Sequence, residues 1–127
     1  MIYLDSSVAL ARIFVEPRSV PDSFWNEHLV SSRLLEYEVW NRIHARGLTR
    51  VSDAARELIG RIDLLELEPR SLARALEPFP VAVRTLDALH LASIEFLRER
   101  RIDVELASFD TRMLLAARAL NITVYQS

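Results

Sequence analysis

The sequence contains no cysteine, no lysine and only two glycines, and it has no apolar run approaching the roughly 20 residues that a membrane-spanning helix needs. Without cysteine, neither a disulfide framework nor a thiolate zinc site is available. That absence suits a reducing compartment, and a cytoplasmic location is expected. No basic segment precedes the first apolar residues, and Asp5 interrupts them, so the start does not read as a secretion signal. Solenoid-period repeats, low-complexity tracts and Gly/Ser linkers are also missing. Because lysine is absent, all 16 basic residues are arginine. A coding bias accounts for this by itself, although guanidinium forks also suit bidentate contact with phosphate. The formal net charge of -2 argues neither for nor against a polyanionic partner.

What the chain does have is 127 residues, 50% of them hydrophobic, enough to bury the core of one domain without covalent staples. Five prolines punctuate it, in "EPRSVP", "LEPRS" and "LEPFP", because proline lacks a backbone donor and biases the residue before it away from helix. Between these breaks the hydrophobic periodicity predicts strands at Ile2–Leu4, Leu29–Ser31, Leu64–Leu67, Val104–Ser108 and Thr123–Tyr125. Helices are predicted at Ser6–Phe14, Pro21–Glu27, Arg33–Ala45, Ser52–Ile62, Ser71–Leu76, Thr85–Arg98 and Thr111–Leu120. Strands alternating with helices imply an α/β fold: a three-layer α/β/α sandwich around a mostly parallel sheet. In such open sheets, ligands collect beyond the carboxyl ends of the strands.

Four acidic positions bear on that edge. "IYLDSS" and "LASFDT" each carry an apolar strand into an Asp followed by a hydroxyl residue and a helix, which places Asp5 and Asp110 at the carboxyl edge. Each could be only a helix N-cap. Yet Ser6 or Thr111 could cap as well, and the pattern occurs twice. Asp87, in "RTLDALHLAS", falls in the first turn of a helix whose Leu86, Leu89, Ser93, Phe96 and Leu97 are expected to share one apolar face. A favourable contact with the helix dipole is the structural alternative there. In "SSRLLEYEVW" both Glu36 and Glu38 lie among apolar neighbours, and periodicity does not choose between them. Several acids converging on one cleft would raise each other's pKa, a penalty that a hard divalent cation with oxygen ligands, Mg2+ or Mn2+, reverses. The histidines show no zinc-ligand spacing, and His90 is expected to be a structural helix residue.

The segments "IYLDSSVALARIF", "SSRLLEYEV", "RTLDALHLASI" and "LASFDTRMLLAARALNITV", in this order, resemble the PIN-domain family, and within it the VapC-type ribonuclease toxins of type II toxin–antitoxin systems. The resemblance covers essentially the whole chain and implies a PIN-like domain over residues 1–127. It places the family's acids on Asp5, Glu38, Asp87 and Asp110, favouring Glu38 over Glu36, and gives Ser6 and Ser108 places near a metal site. It implies an endoribonuclease dependent on Mg2+ or Mn2+ that hydrolyses RNA with a metal-activated water, leaving a 5′-phosphate and a 3′-hydroxyl. Arg12, Arg84 and Arg112 become candidates to hold flanking phosphates. The implied partners are RNA, a VapB-type antitoxin and a second copy of the chain. Where some PIN nucleases carry a further acid, this chain has "TRML" at 111–114. Two rival readings are a receiver-like phosphate-handling signalling module, which would want a lysine that this chain lacks, and a catalytically degenerate module that only binds RNA or protein.

Overall fold

The computed structural model describes residues 1–126. Strands β1 (Ile2–Leu4), β2 (Leu29–Ser32), β3 (Ile62–Leu65) and β4 (Glu105–Ala107) form one sheet in the order β3-β2-β1-β4, with every pair parallel. All residues of β1 and β2 are buried, as expected of central strands covered on both faces, while in the edge strand β3 only Ile62 is buried. Tyr3 lies opposite Val30 on one side and Leu106 on the other.

Side-chain alternation divides the core in two. Ile2, Leu4, Leu29 and Ile62 face a layer made by α1 (Ser6–Ile13), α2 (Leu34–Arg46) and α3 (Ser52–Gly60), joined by Phe24 and Trp25 from a single 3-10 turn. Tyr3, Val30 and Leu106 face α5 (Thr85–Glu99) and α6 (Thr111–Ala119), and α4 (Pro69–Ala75) packs against α5. This is the expected three-layer sandwich. Gly47 ends α2 in the left-handed region, φ 64°, and Pro69 starts α4 at a position where its missing N–H costs nothing. Among the described residues, no helix is long and apolar enough to cross a membrane.

Three expectations need correction. The strand predicted at Thr123–Tyr125 is reduced to one parallel bridge, Val124 with Leu106. Alternate residues of a strand turn their backbone groups to opposite neighbours. Glu105 and Ala107 are committed to the β1 side, which leaves Leu106 alone for the outer one. The third strand lies two residues earlier than predicted because α3 stops at Gly60. On α5 the buried residues are Ala88, His90, Leu91, Ala92, Ser93, Ile94 and Leu97, whereas Leu86 is 44% exposed. Helix α5 packs on the sheet along one side and against α4 along another, so small and polar residues between its leucines are buried while Leu86 is not.

The strand order reverses at β1: the chain proceeds from β1 to β2 and β3, then returns to add β4 on the other side. The crevice at the carboxyl end of β1 is therefore the topological switch point, the place where such sheets accept ligands.

Candidate active site

Asp5 ends β1 and caps α1 in extended conformation, and both of its carboxylate oxygens are held. Oδ1 accepts from the Ser7 amide at 3.0 Å and from the Ser7 hydroxyl, and Oδ2 accepts from the Ser108 hydroxyl. Ser7 Oγ in turn accepts from the Phe109 amide at 2.9 Å, and Ser108 Oγ from the Asp110 amide at 2.9 Å. Two hydroxyls thus lock the β1–α1 turn against the β4–α6 turn. Asp110 caps α6, its Oδ1 accepting from the amides of Arg112 at 2.9 Å and Met113 at 3.4 Å. The capping and cleft-lining readings of these two acids hold together, because one oxygen of Asp110 serves the cap while the residue still borders the cleft.

Glu38 enters from α2. Its Oε2 accepts from Ser6 Oγ at 3.1 Å, and its Oε1 lies 2.6 Å from Nε2 of His90. The other ring nitrogen of His90, Nδ1, lies 2.6 Å from the Tyr3 hydroxyl, deep in the second core. Glu36 turns away and pairs with Arg33 at 3.4 Å. Asp87 stands in the first turn of α5, half-buried, and its Oδ2 is buried without a hydrogen-bond partner among the described residues.

These four acids line one cleft of about 500 Å³, together with Ser6, Ser7 and His90. Burial pushes the Asp5 carboxyl above the usual carboxylate range. Glu38 adds to the rise, while the Ser108 and Ser7 hydrogen bonds and His90 act against it. Asp87 is also raised, by burial first and then by the charge of Asp110, against the Arg84 amide, His90 and the Arg84 guanidinium. Among the described residues, no three acidic or histidine side chains stand ready to enclose an ion as they are. The unpartnered Oδ2 of Asp87 and its repulsion from Asp110 nonetheless suit a hard cation, and an oxygen donor set suits Mg2+ or Mn2+ better than zinc.

The arginines separate. Arg84 borders the cleft, joined by Arg18 and Arg42, which sequence reasoning did not single out. Arg12 lies elsewhere, 3.7 Å from Asp22 and over the Trp25 ring, and the Arg112 side chain is not among the cleft-lining groups. Also missed were Ser7, whose amide and hydroxyl both hold the Asp5 carboxylate, and the bond from His90 to Glu38. That bond gives His90, expected as a structural helix residue, a contact with one of the cleft acids as well. A signal for Arg42 was available: it follows Glu38 by four residues, one helical turn.

The PIN domain family model matches residues 2–119. Ribonuclease VapC46 of Mycobacterium tuberculosis is 35% identical to this chain over 127 residues, covering 97% of this chain and 95% of the relative. Ribonuclease VapC35 of the same species is 35% identical over 136 residues, covering 98% and 95%. Ribonuclease VapC47 is 26% identical over 125 residues, covering 93% and 90%. With its acids gathered at the switch point of a parallel sheet and these relatives matched almost end to end, the chain belongs to the PIN-domain family, in the group of the VapC ribonucleases.

Proposed function

We propose that this protein is a metal-dependent endoribonuclease and the toxin of a toxin–antitoxin pair. The observation that carries the reading is the buried, unpartnered Oδ2 of Asp87 beside Asp110, in a cleft at the switch point that also holds Asp5 and Glu38. Asp5, Asp87, Asp110 and Glu38 would hold Mg2+ or Mn2+, drawing inward to do so. The bound ion supplies a low-pKa water as nucleophile and offsets charge on the leaving oxygen.

The protein's own side chains account for the rest. Ser7 and Ser108 fix the direction of the Asp5 carboxylate, and Ser6 fixes that of Glu38. Arg84, Arg18 and Arg42 rim the cleft, where guanidinium groups can seat the phosphates on either side of the scissile bond and leave the reacting one over the acids. Of the arginines expected from the sequence, Arg84 fits this role by its place, while Arg12 and Arg112 are not among the cleft-lining groups. Single-stranded RNA, whose backbone can bend into a cleft, is the substrate class that fits.

A VapB-type antitoxin, a second copy of the chain as homodimer partner, a cytoplasmic location and a single domain spanning residues 1–127 belong to the same reading. The VapC names of the relatives favour the antitoxin, and their end-to-end coverage favours the single domain. The test is incubation of the purified protein with total RNA in Mg2+, in Mn2+ and in excess EDTA. Cleavage is expected in either metal and none in chelator, and full cleavage in EDTA would contradict the proposal.

A further inference from the structure

Tyr3, His90 and Glu38 form one hydrogen-bonded line from the middle of the sheet to the cleft. The Tyr3 hydroxyl meets Nδ1 of His90 at 2.6 Å, and Nε2 meets Oε1 of Glu38 at 2.6 Å. Tyr3 is fully buried and His90 is 1% exposed, so both are fixed by packing, whereas Glu38 lines the cleft. The Tyr3 and His90 rings also meet edge-on, 5.7 Å between centroids. A carboxylate only accepts hydrogen bonds, so Nε2 carries the hydrogen that faces Glu38. Nδ1, on the far side of the ring, faces the Tyr3 hydroxyl, which closes the line as its hydrogen-bond partner.

We propose that His90 is the positioning residue of this cleft: anchored by Tyr3, it donates from Nε2 to Glu38 and holds that carboxylate in the orientation that metal binding and cleavage require. Ser6 holds the other oxygen, so Glu38 is gripped at both, and each oxygen keeps a second lone pair free. Helix α5 thereby supplies two elements one turn apart, Asp87 in the cleft and His90 behind Glu38. If His90 served only to fill the core, its role would end at Tyr3 and the neighbouring apolar residues. The bond to Glu38, 52 residues away in sequence, is what the core does not need.

The inference rests on the metal-dependent reading above, and Mn2+ affinity measured by calorimetry on the full chain separates the two. Wild type that binds no Mn2+ overturns that reading. His90→Met keeps bulk and removes the donor. It should weaken Mn2+ binding and lower kcat by about 10–100-fold, the range seen when a residue that orients a metal ligand is lost, with little change in KM for RNA. His90→Gln, whose amide can place an N–H near the position of Nε2, should restore most of both. In a Glu38→Ala background, His90→Met should cause no further loss of Mn2+ affinity, because its effect runs through Glu38. Unchanged affinity and kcat in His90→Met, or a loss that persists in the Glu38→Ala background, would overturn the proposal. Should His90→Met not fold, Tyr3→Phe removes one oxygen from the same line. A loss of Mn2+ affinity absent from the Glu38→Ala background supports the proposal, and unchanged affinity overturns it.

Discussion

Replacing Asp87 with Asn should make the metal-free protein more stable, not less. Two effects compete at this position. A carboxylate in the first turn of a helix gains about 0.3–1 kcal/mol from the helix dipole when exposed. Against that, Asp87 is half-buried, has an unpartnered oxygen and stands near Asp110. Its folded-state pKa lies above the usual carboxylate range, so burial and repulsion outweigh the favourable contacts. The native state consequently binds a proton more readily than the unfolded chain, and the ionised group destabilises the fold at neutral pH. Asn keeps a polar group at this place but removes the charge, so it relieves the burial of the carboxylate and its repulsion by Asp110, which solvent screening of a half-exposed side chain holds to about 1 kcal/mol. In a chain of 127 residues that corresponds to about 3–5 °C in Tm. The destabilisation is complete above the raised folded pKa, fades as pH falls through it, and is gone below the unfolded value near 3.9. The stability advantage of Asp87→Asn in EDTA should therefore shrink as pH is lowered from 7 toward 4. Mg2+ at a hundredfold excess over its dissociation constant should stabilise the wild type by about 2.7 kcal/mol, roughly 10 °C, and the variant by little. Thermal scans of both proteins in EDTA and in Mg2+ measure all of this. A less stable Asp87→Asn with an unchanged response to Mg2+ would refute the reasoning and leave Asp87 as a first-turn charge.

Glu38→Gln should reduce cleavage by at least about 100-fold, as loss of a metal-holding group does, whereas Glu36→Gln should stay close to wild type because Glu36 only pairs with Arg33 at the surface; initial rates on one RNA decide the ranking, and the reverse order would contradict it. Arg42→Ala should weaken RNA binding in EDTA and lower the slope of log affinity against log salt by about 0.7, the loss of one phosphate contact on a single strand. Arg12→Ala, lying away from the cleft, should leave that slope unchanged, and an equal effect from both would mean that the surface arginines act as a diffuse charge.

The inner strands and two of the acids were legible because β1 and β4 are short runs whose apolar residues lead into an Asp at the start of a helix. Asp5 and Asp110 announced themselves by recurring at the same place in two such units. What sequence left open was whatever depends on contacts between distant segments. Periodicity could not separate Glu36 from Glu38, since both lie among apolar neighbours. Arg33 pairs with Glu36 within the first turn of α2, but the partners that set Glu38 apart, Ser6 and His90, are known only once α2 is docked on α1 and α5. The apolar face of α5 was misread because a helix packed against both a sheet and a second helix, α4, buries alanine, serine and histidine as readily as leucine. Arg18 gave no signal by type, since every basic residue here is arginine, and only its place beside the cleft marks it, whereas Arg42 could have been found from its spacing of one helical turn from Glu38.

The ends left on cut RNA test the central claim most directly. If the acids of this cleft act through a divalent ion and an activated water, cleavage of a defined single-stranded RNA in Mg2+ or Mn2+ should leave a 5′-phosphate and a 3′-hydroxyl, readable by end-specific ligation and mass spectrometry. Fragments ending in a 2′,3′-cyclic phosphate and beginning with a 5′-hydroxyl would show that the RNA's own 2′-hydroxyl is the nucleophile, and would contradict metal-activated hydrolysis at Asp5, Glu38, Asp87 and Asp110.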